Sequence, residues 1–190
     1  VEAHVARVVL IGPEASGKTT LARELAEEFG APWVPEAARL FAESFPEPLS
    51  LDTVGPIAKL SMRLEDEAMT AIRRDRATTG ADGPPLLFRD TDLVSTVVYS
   101  RHYYGTVEPW IVAEARARRA ALYLLCRPDL PWLPDGVRDR PMHRERLLED
   151  FRAELVDMGA RLVEVMGAGE ARRLMARDAV QALVSGDPTR

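Results

Sequence analysis

Residues 5–29 read VARVVLIGPEASGKTTLARELAEEF, and three local patterns meet within them. Val5 to Ile11 is an almost continuous apolar, β-branched run, the pattern of a strand buried on both faces of a parallel sheet. Further on, Leu21, Leu25 and Phe29 recur every fourth residue and mark one face of a helix. Between the two, Gly12-Pro13-Glu14-Ala15-Ser16-Gly17-Lys18-Thr19 satisfies G-x-x-x-x-G-K-S/T at every fixed position. Strand, glycine-rich turn and helix in that order make a phosphate loop. The glycines let successive N–H groups turn into one concavity, and the helix beginning near Lys18 adds its positive end at the same point. On this reading Gly12, Glu14, Ala15, Ser16, Gly17, Lys18, Thr19 and Thr20 surround ATP, Lys18 reaches its β- and γ-phosphates, and the Thr19 hydroxyl is placed for Mg²⁺. Lysine usage agrees: of 25 basic residues only Lys18 and Lys59 are lysines. A chain that uses arginine almost everywhere keeps a compact ammonium in the loop.

Working outward, short apolar runs at Trp33-Val34, Leu86–Phe88, Ala121–Cys126 and Leu162–Val165 read as four more strands. Helical patterns lie between them, the longest from Asp52 to Thr78 with Ile57, Leu60, Leu64, Ala68 and Ala71 on its apolar positions. Strands alternating with helices predict βαβ crossovers, hence an α/β, three-layer fold of the P-loop NTPase kind with a central parallel sheet of about five strands. The whole of 1–190 reads as one domain. Gly30-Ala31-Pro32, Phe45-Pro46-Glu47-Pro48 and the stretch from Gly80 to Pro85 punctuate the elements. The segment Arg127 to His143, RPDLPWLPDGVRDRPMH, holds four of the fourteen prolines and reads as a lid or binding loop within about 127–146.

A triphosphate's metal needs a carboxylate, and Asp90 ends the run LLFRD beside the expected loop. It is a candidate for Mg²⁺ and for accepting a substrate hydroxyl's proton. Asp92 follows in DTD, either as a substrate-binding group or as the cap of the next helix. Glu36, in PEAAR after the second strand, faces the sheet edge where open α/β folds bind ligands, or else pairs with Arg39 three residues on. The sequence leaves the base open between Glu36 and Asp90.

A formal charge of −5 argues against nucleic acid or a membrane surface as partner. The chain shows no signal peptide and no long apolar span, so a cytoplasmic location is expected. Cys126, the one cysteine, lies in the apolar run ALYLLC and is expected in the core. The histidines, His4, His102 and His143, show no metal-binding spacing.

With VPEAAR, LLFRDTDLVST, YYG and LYLLCRPDLPWLPDGVRD added to the loop, almost the whole chain resembles the ribosylnicotinamide kinase domain of the bacterial NadR-type NAD-salvage proteins. The resemblance implies a P-loop kinase that moves the ATP γ-phosphate to the ribose 5′-hydroxyl of nicotinamide riboside. It implies Trp132 as the stacking partner of the pyridinium ring, against the alternative of an apolar anchor for the loop. Tyr103 is a substrate contact or a core residue, Asp135 a substrate contact or part of a tight turn, and Arg138, ahead of Arg140, Arg144 and Arg146, is the candidate for closing over the γ-phosphate. The 190 residues depart from the family in holding neither an adenylyltransferase signature nor a helix-turn-helix segment, so only the kinase step is implied. Two other uses fit the same loop: phosphorylation of another small nucleoside or nucleotide, and a regulatory ATPase switch.

Overall fold

Side-chain alternation along the strands decides the layers. The computed structural model describes residues 4–45, 47–79, 84–130 and 143–186. Among them β1 (Ala6–Ile11), β2 (Trp33–Val34), β3 (Leu86–Asp90), β4 (Leu122–Cys126) and β5 (Leu162–Val165) form one sheet in the order β2-β3-β1-β4-β5, every pair parallel. Val8 and Leu10 of β1, with Leu122, Leu124 and Cys126 of β4, face α1 (Lys18–Glu28) and α7 (Gly169–Val184). Val9, Ile11, Tyr123 and Leu125 point the other way, into a second core shared with α3 (Leu51–Thr79), α4 (Leu93–Tyr104), α5 (Pro109–Ala117) and α6 (Arg144–Asp157). Both faces are covered, which is why the central strands read as unbroken apolar runs. The short α2 (Ala37–Ser44) packs against α3 through Ala37, Ala38 and Ile57. Cys126 is buried as expected, and burial pushes its thiol up to about 11.

β3 extends two residues past its apolar run because the polar side chains there have partners. Arg89 and Glu65 are each 3% exposed. Glu65, from α3, accepts from Arg89 on one carboxylate oxygen and from Arg7 of β1 on the other. Arg89 also donates to the Ser61 hydroxyl at 2.8 Å and to the Ser61 carbonyl at 3.2 Å. One carboxylate therefore ties the longest helix to the two strands that carry the loop and Asp90.

Removing one member of such a network strands a buried charge. Glu65→Ala should lower unfolding free energy by about 3–5 kcal/mol in urea titration. Arg63→Ala, which removes an exposed contact of 3.9 Å with Glu67, should change it by less than about 1 kcal/mol. Equal effects would contradict this account of the network.

Candidate active site

The loop passes so close to β4 that a Cβ on Gly12, whose φ is +138°, would lie 2.5 Å from the Cys126 carbonyl oxygen. Only glycine permits that approach. Gly17, at φ +76°, caps α1, and Ala15 also takes a positive φ of 50°. Turns of this kind point consecutive amides into one concavity. The Pro13 carbonyl oxygen accepts from the Ser16 hydroxyl and from the Lys18 ammonium, both at 2.7 Å. Glu14 is buried, and α4 holds its carboxylate: the Tyr103 hydroxyl donates at 2.8 Å and the Tyr99 hydroxyl at 3.3 Å. Tyr103, expected beside the substrate, thus braces the loop.

Parallel pairing of β1 with β3 sets Leu10 opposite Asp90, and the Thr91 amide donates to the Leu10 carbonyl at 3.0 Å. Asp90 therefore ends its strand beside the first turn of α1, where the Thr19 hydroxyl donates to its Oδ2. Its Oδ1 is buried with no partner among the described residues. Burial first, and then the nearby charge of Glu36, raises the Asp90 carboxyl above the usual range; Lys18, the Thr19 hydroxyl and Arg39 oppose this. A divalent cation fits such a place, since it would partner the orphaned oxygen and favour the ionised form. Among the described residues no group of three or more His, Cys, Asp or Glu could hold a metal by itself. A cation here would draw its other ligands from phosphate and water, as Mg²⁺ commonly does.

Glu36 occupies the N-cap position of α2, is buried, and lies with Oε2 3.9 Å from Arg39 Nη2. Asp92 caps α4: its Oδ1 accepts from the Val94 amide at 2.9 Å, and its Oδ2 accepts from the Tyr123 hydroxyl at 2.9 Å. Burial raises the Asp92 carboxyl, with Arg89 and these hydrogen bonds acting against it. Each oxygen thus has a partner within the fold.

The structure thus brings together the loop, Lys18, Thr19, Asp90 and Glu36. Trp132, Asp135 and Arg138 lie outside the described residues. Two arginines donate to carbonyls of the loop. Arg144, a candidate phosphate arginine in sequence after Arg138, donates from Nη2 to the Ala15 carbonyl at 3.2 Å. Arg172 of α7 donates to the Ser16 carbonyl at 2.7 Å, to Asp129 Oδ1 at 2.8 Å and to the Gly167 carbonyl at 3.0 Å. Sequence reading missed Arg172, although a signal exists: Arg172, Ala176 and Val180 recur every fourth residue and form the buried stripe of α7. No helix among the described residues is long and apolar enough to cross a membrane.

Comparison with known proteins bears on the family and the fold. Residues 7–172 match the family described as AAA domain. The chain is 28% identical over 158 residues to the trifunctional NAD biosynthesis/regulator protein NadR of Escherichia coli (strain K12), an alignment covering 81% of this chain and 35% of that protein. It therefore spans about a third of the curated relatives it matches. Among solved structures it is similar to a NadR protein in complex with NR (TM-score 0.76, 23% identity) and to one in complex with NAD and AMP-PNP (0.78, 22%); each match covers 98% of this chain and 51% of the other. Thymidylate kinase from Candida albicans matches at a TM-score of 0.66 and 12% identity, covering 98% of this chain and 94% of that one. The fold is that of the P-loop kinases.

Asp90 carries a testable sign. Because its folded carboxyl is raised, the folded state holds more protons than the unfolded state between the ordinary carboxylate range and the raised value, and stability falls as pH rises through that window. Asp90→Asn should therefore melt higher than the parent chain at neutral pH without added Mg²⁺, and the difference should vanish below the ordinary carboxylate range. A lower melting temperature at neutral pH would contradict the assigned shift.

Proposed function

This chain belongs to the AAA-domain family, and on that premise we propose that it is a kinase transferring the γ-phosphate of ATP to the ribose 5′-hydroxyl of nicotinamide riboside. The observation that carries the reading is the pairing of Asp90 with Thr19 of the phosphate loop, with Glu36 as the second carboxylate beside it. Two acids of unlike surroundings next to a triphosphate site suit two different tasks. The 28% identity to NadR and the likeness to a NadR structure holding NR support the choice of acceptor.

The loop amides and Lys18 bind the β- and γ-phosphates, and Lys18 leaves the Pro13 carbonyl to do so. Thr19 and Asp90 would hold Mg²⁺, which supplies charge neutralisation on the phosphate oxygens. Glu36 takes the acceptor role: its carboxylate receives the 5′-hydroxyl proton as that oxygen bonds to the γ-phosphorus and the bond to the β,γ-bridging oxygen breaks, releasing ADP. Asp90, already committed to Thr19, is the less suited base. Trp132 stacks on the pyridinium ring, Asp135 contacts the ribose side, and Arg138 stabilises charge on the transferring group while excluding water.

The test is ADP release from Mg-ATP with and without nicotinamide riboside, the product being identified by mass. Riboside-dependent release that is lost in Lys18→Ala supports the reading. Glu36→Gln should lower kcat by roughly 10²–10⁴-fold with Mg-ATP affinity kept, whereas Asp90→Asn should raise the Mg²⁺ concentration required. No stimulation by the riboside, with turnover on a neutral nucleoside instead, would overturn the acceptor assignment. ATP binding without turnover on any small acceptor would favour a regulatory switch.

A further inference from the structure

We infer that Arg144 and Arg172, from α6 and α7, are positioning residues that set the direction of two phosphate-binding amides of the loop. A trans peptide is planar, and its C=O and N–H point in opposite directions. A donor that fixes a carbonyl therefore also fixes the next residue's N–H, which points away from that donor. Arg172 Nη2 holds the Ser16 carbonyl at 2.7 Å and so orients the Gly17 amide; Arg144 Nη2 holds the Ala15 carbonyl at 3.2 Å and so orients the Ser16 amide. Both arginines are buried, Arg144 at 8% exposed and Arg172 at 4%, and each is fixed by further acceptors. Arg144 also donates to the Leu130 carbonyl at 3.3 Å, and Arg172 to the Arg127 carbonyl at 3.2 Å, to Gly167 and to Asp129. These fixed points lie after β4 and β5, so the loop is anchored to the neighbouring strand ends.

Position along the loop separates the two roles. Ala15 and Gly17 both have positive φ, so the peptides joining Ala15 to Ser16 and Ser16 to Gly17 lie where the backbone reverses its curl. Those peptides are free to turn unless something outside holds them, and charge-assisted hydrogen bonds are the strongest hold that a side chain offers a carbonyl. The ligand class is a polyphosphate, whose oxygens the aimed amides would receive. The inference deepens the nucleotide-binding half of the proposed function and does not depend on the acceptor.

The experiment measures binding of Mg-ATP and of inorganic tripolyphosphate to the full chain, with the ¹⁵N–¹H signals of Ser16 and Gly17 followed during the tripolyphosphate titration. Arg172→Met should weaken both ligands about 10–100-fold, the loss expected for a hydrogen bond to a charged group, and should blunt the Gly17 response more than that of Ser16. Arg144→Met should give the reverse pattern at the two amides. Arg172→Lys, which keeps the charge and can reach one carbonyl, should recover part of the affinity and serves if the methionine variant does not fold. Unchanged affinity, or equal loss at both amides in either variant, would overturn the inference in favour of a general structural role. Tight polyphosphate binding by the parent chain without transfer to the riboside would remove the acceptor assignment and leave this inference standing; failure of the parent chain to bind tripolyphosphate or ATP would remove both.

Discussion

Everything at the candidate site depends on the parallel pairing of β1 with β3, which sets Leu10 beside Asp90. Parallel strands that begin level also end level, so a carboxylate closing β3 arrives next to the turn that leaves β1. Shifting the register by one residue would turn Asp90 to the other face and move every core side chain of β3 with it. The buried network of Arg7, Glu65 and Arg89 guards that register from α3. β2 places Glu36 at the same edge because it pairs with β3 on the far side, in the order β2-β3-β1-β4-β5. The order in which strands are added reverses about β1, although all of them run parallel, and ligands of open α/β sheets bind outside the strand ends at such a point.

The loop is set up before any ligand arrives. Gly12 lets it run against the Cys126 carbonyl, Tyr99 and Tyr103 of α4 hold Glu14, and Arg144 of α6 and Arg172 of α7 hold two carbonyls. Preorganisation of this kind means that the amides need little reordering when phosphate binds. The cost is a concentration of buried polar groups around the loop, with Asp90 Oδ1 and the Nε atoms of Arg144 and Arg172 buried without partners among the described residues.

Much of this was legible in the sequence, for identifiable reasons. The five strands and the long helix follow from hydrophobic period, and their ends agree to within one or two residues. The loop could be read because each of its fixed positions answers a geometric demand that the structure shows at Gly12, Gly17, Lys18 and Thr19. The positions of Asp90 and Glu36 follow from the strands before them: Asp90 ends β3, and Glu36 comes two residues after β2 as the N-cap of α2. Less legible were roles set by tertiary contacts. The partners of Asp92, the Val94 amide and the Tyr123 hydroxyl, are set by the fold, and only the first lies near it in sequence. The hydrogen bond of Tyr103 to Glu14 could not be read in sequence, because the two lie 89 residues apart. Arg172 hides as a charged residue in a helix, and only its place on the apolar stripe betrays its burial.

The central claim is a division of labour between two neighbouring carboxylates, Asp90 with Thr19 on the nucleotide side and Glu36 on the acceptor side. A crystal structure of the chain with Mg²⁺, a non-hydrolysable ATP analogue and nicotinamide riboside tests it most directly. The account predicts the metal between Thr19 and Asp90 and the γ-phosphate, with the riboside 5′-hydroxyl donating to Glu36 in line with the bridging oxygen. A 5′-hydroxyl resting on Asp90, or a riboside bound away from both carboxylates, would contradict it.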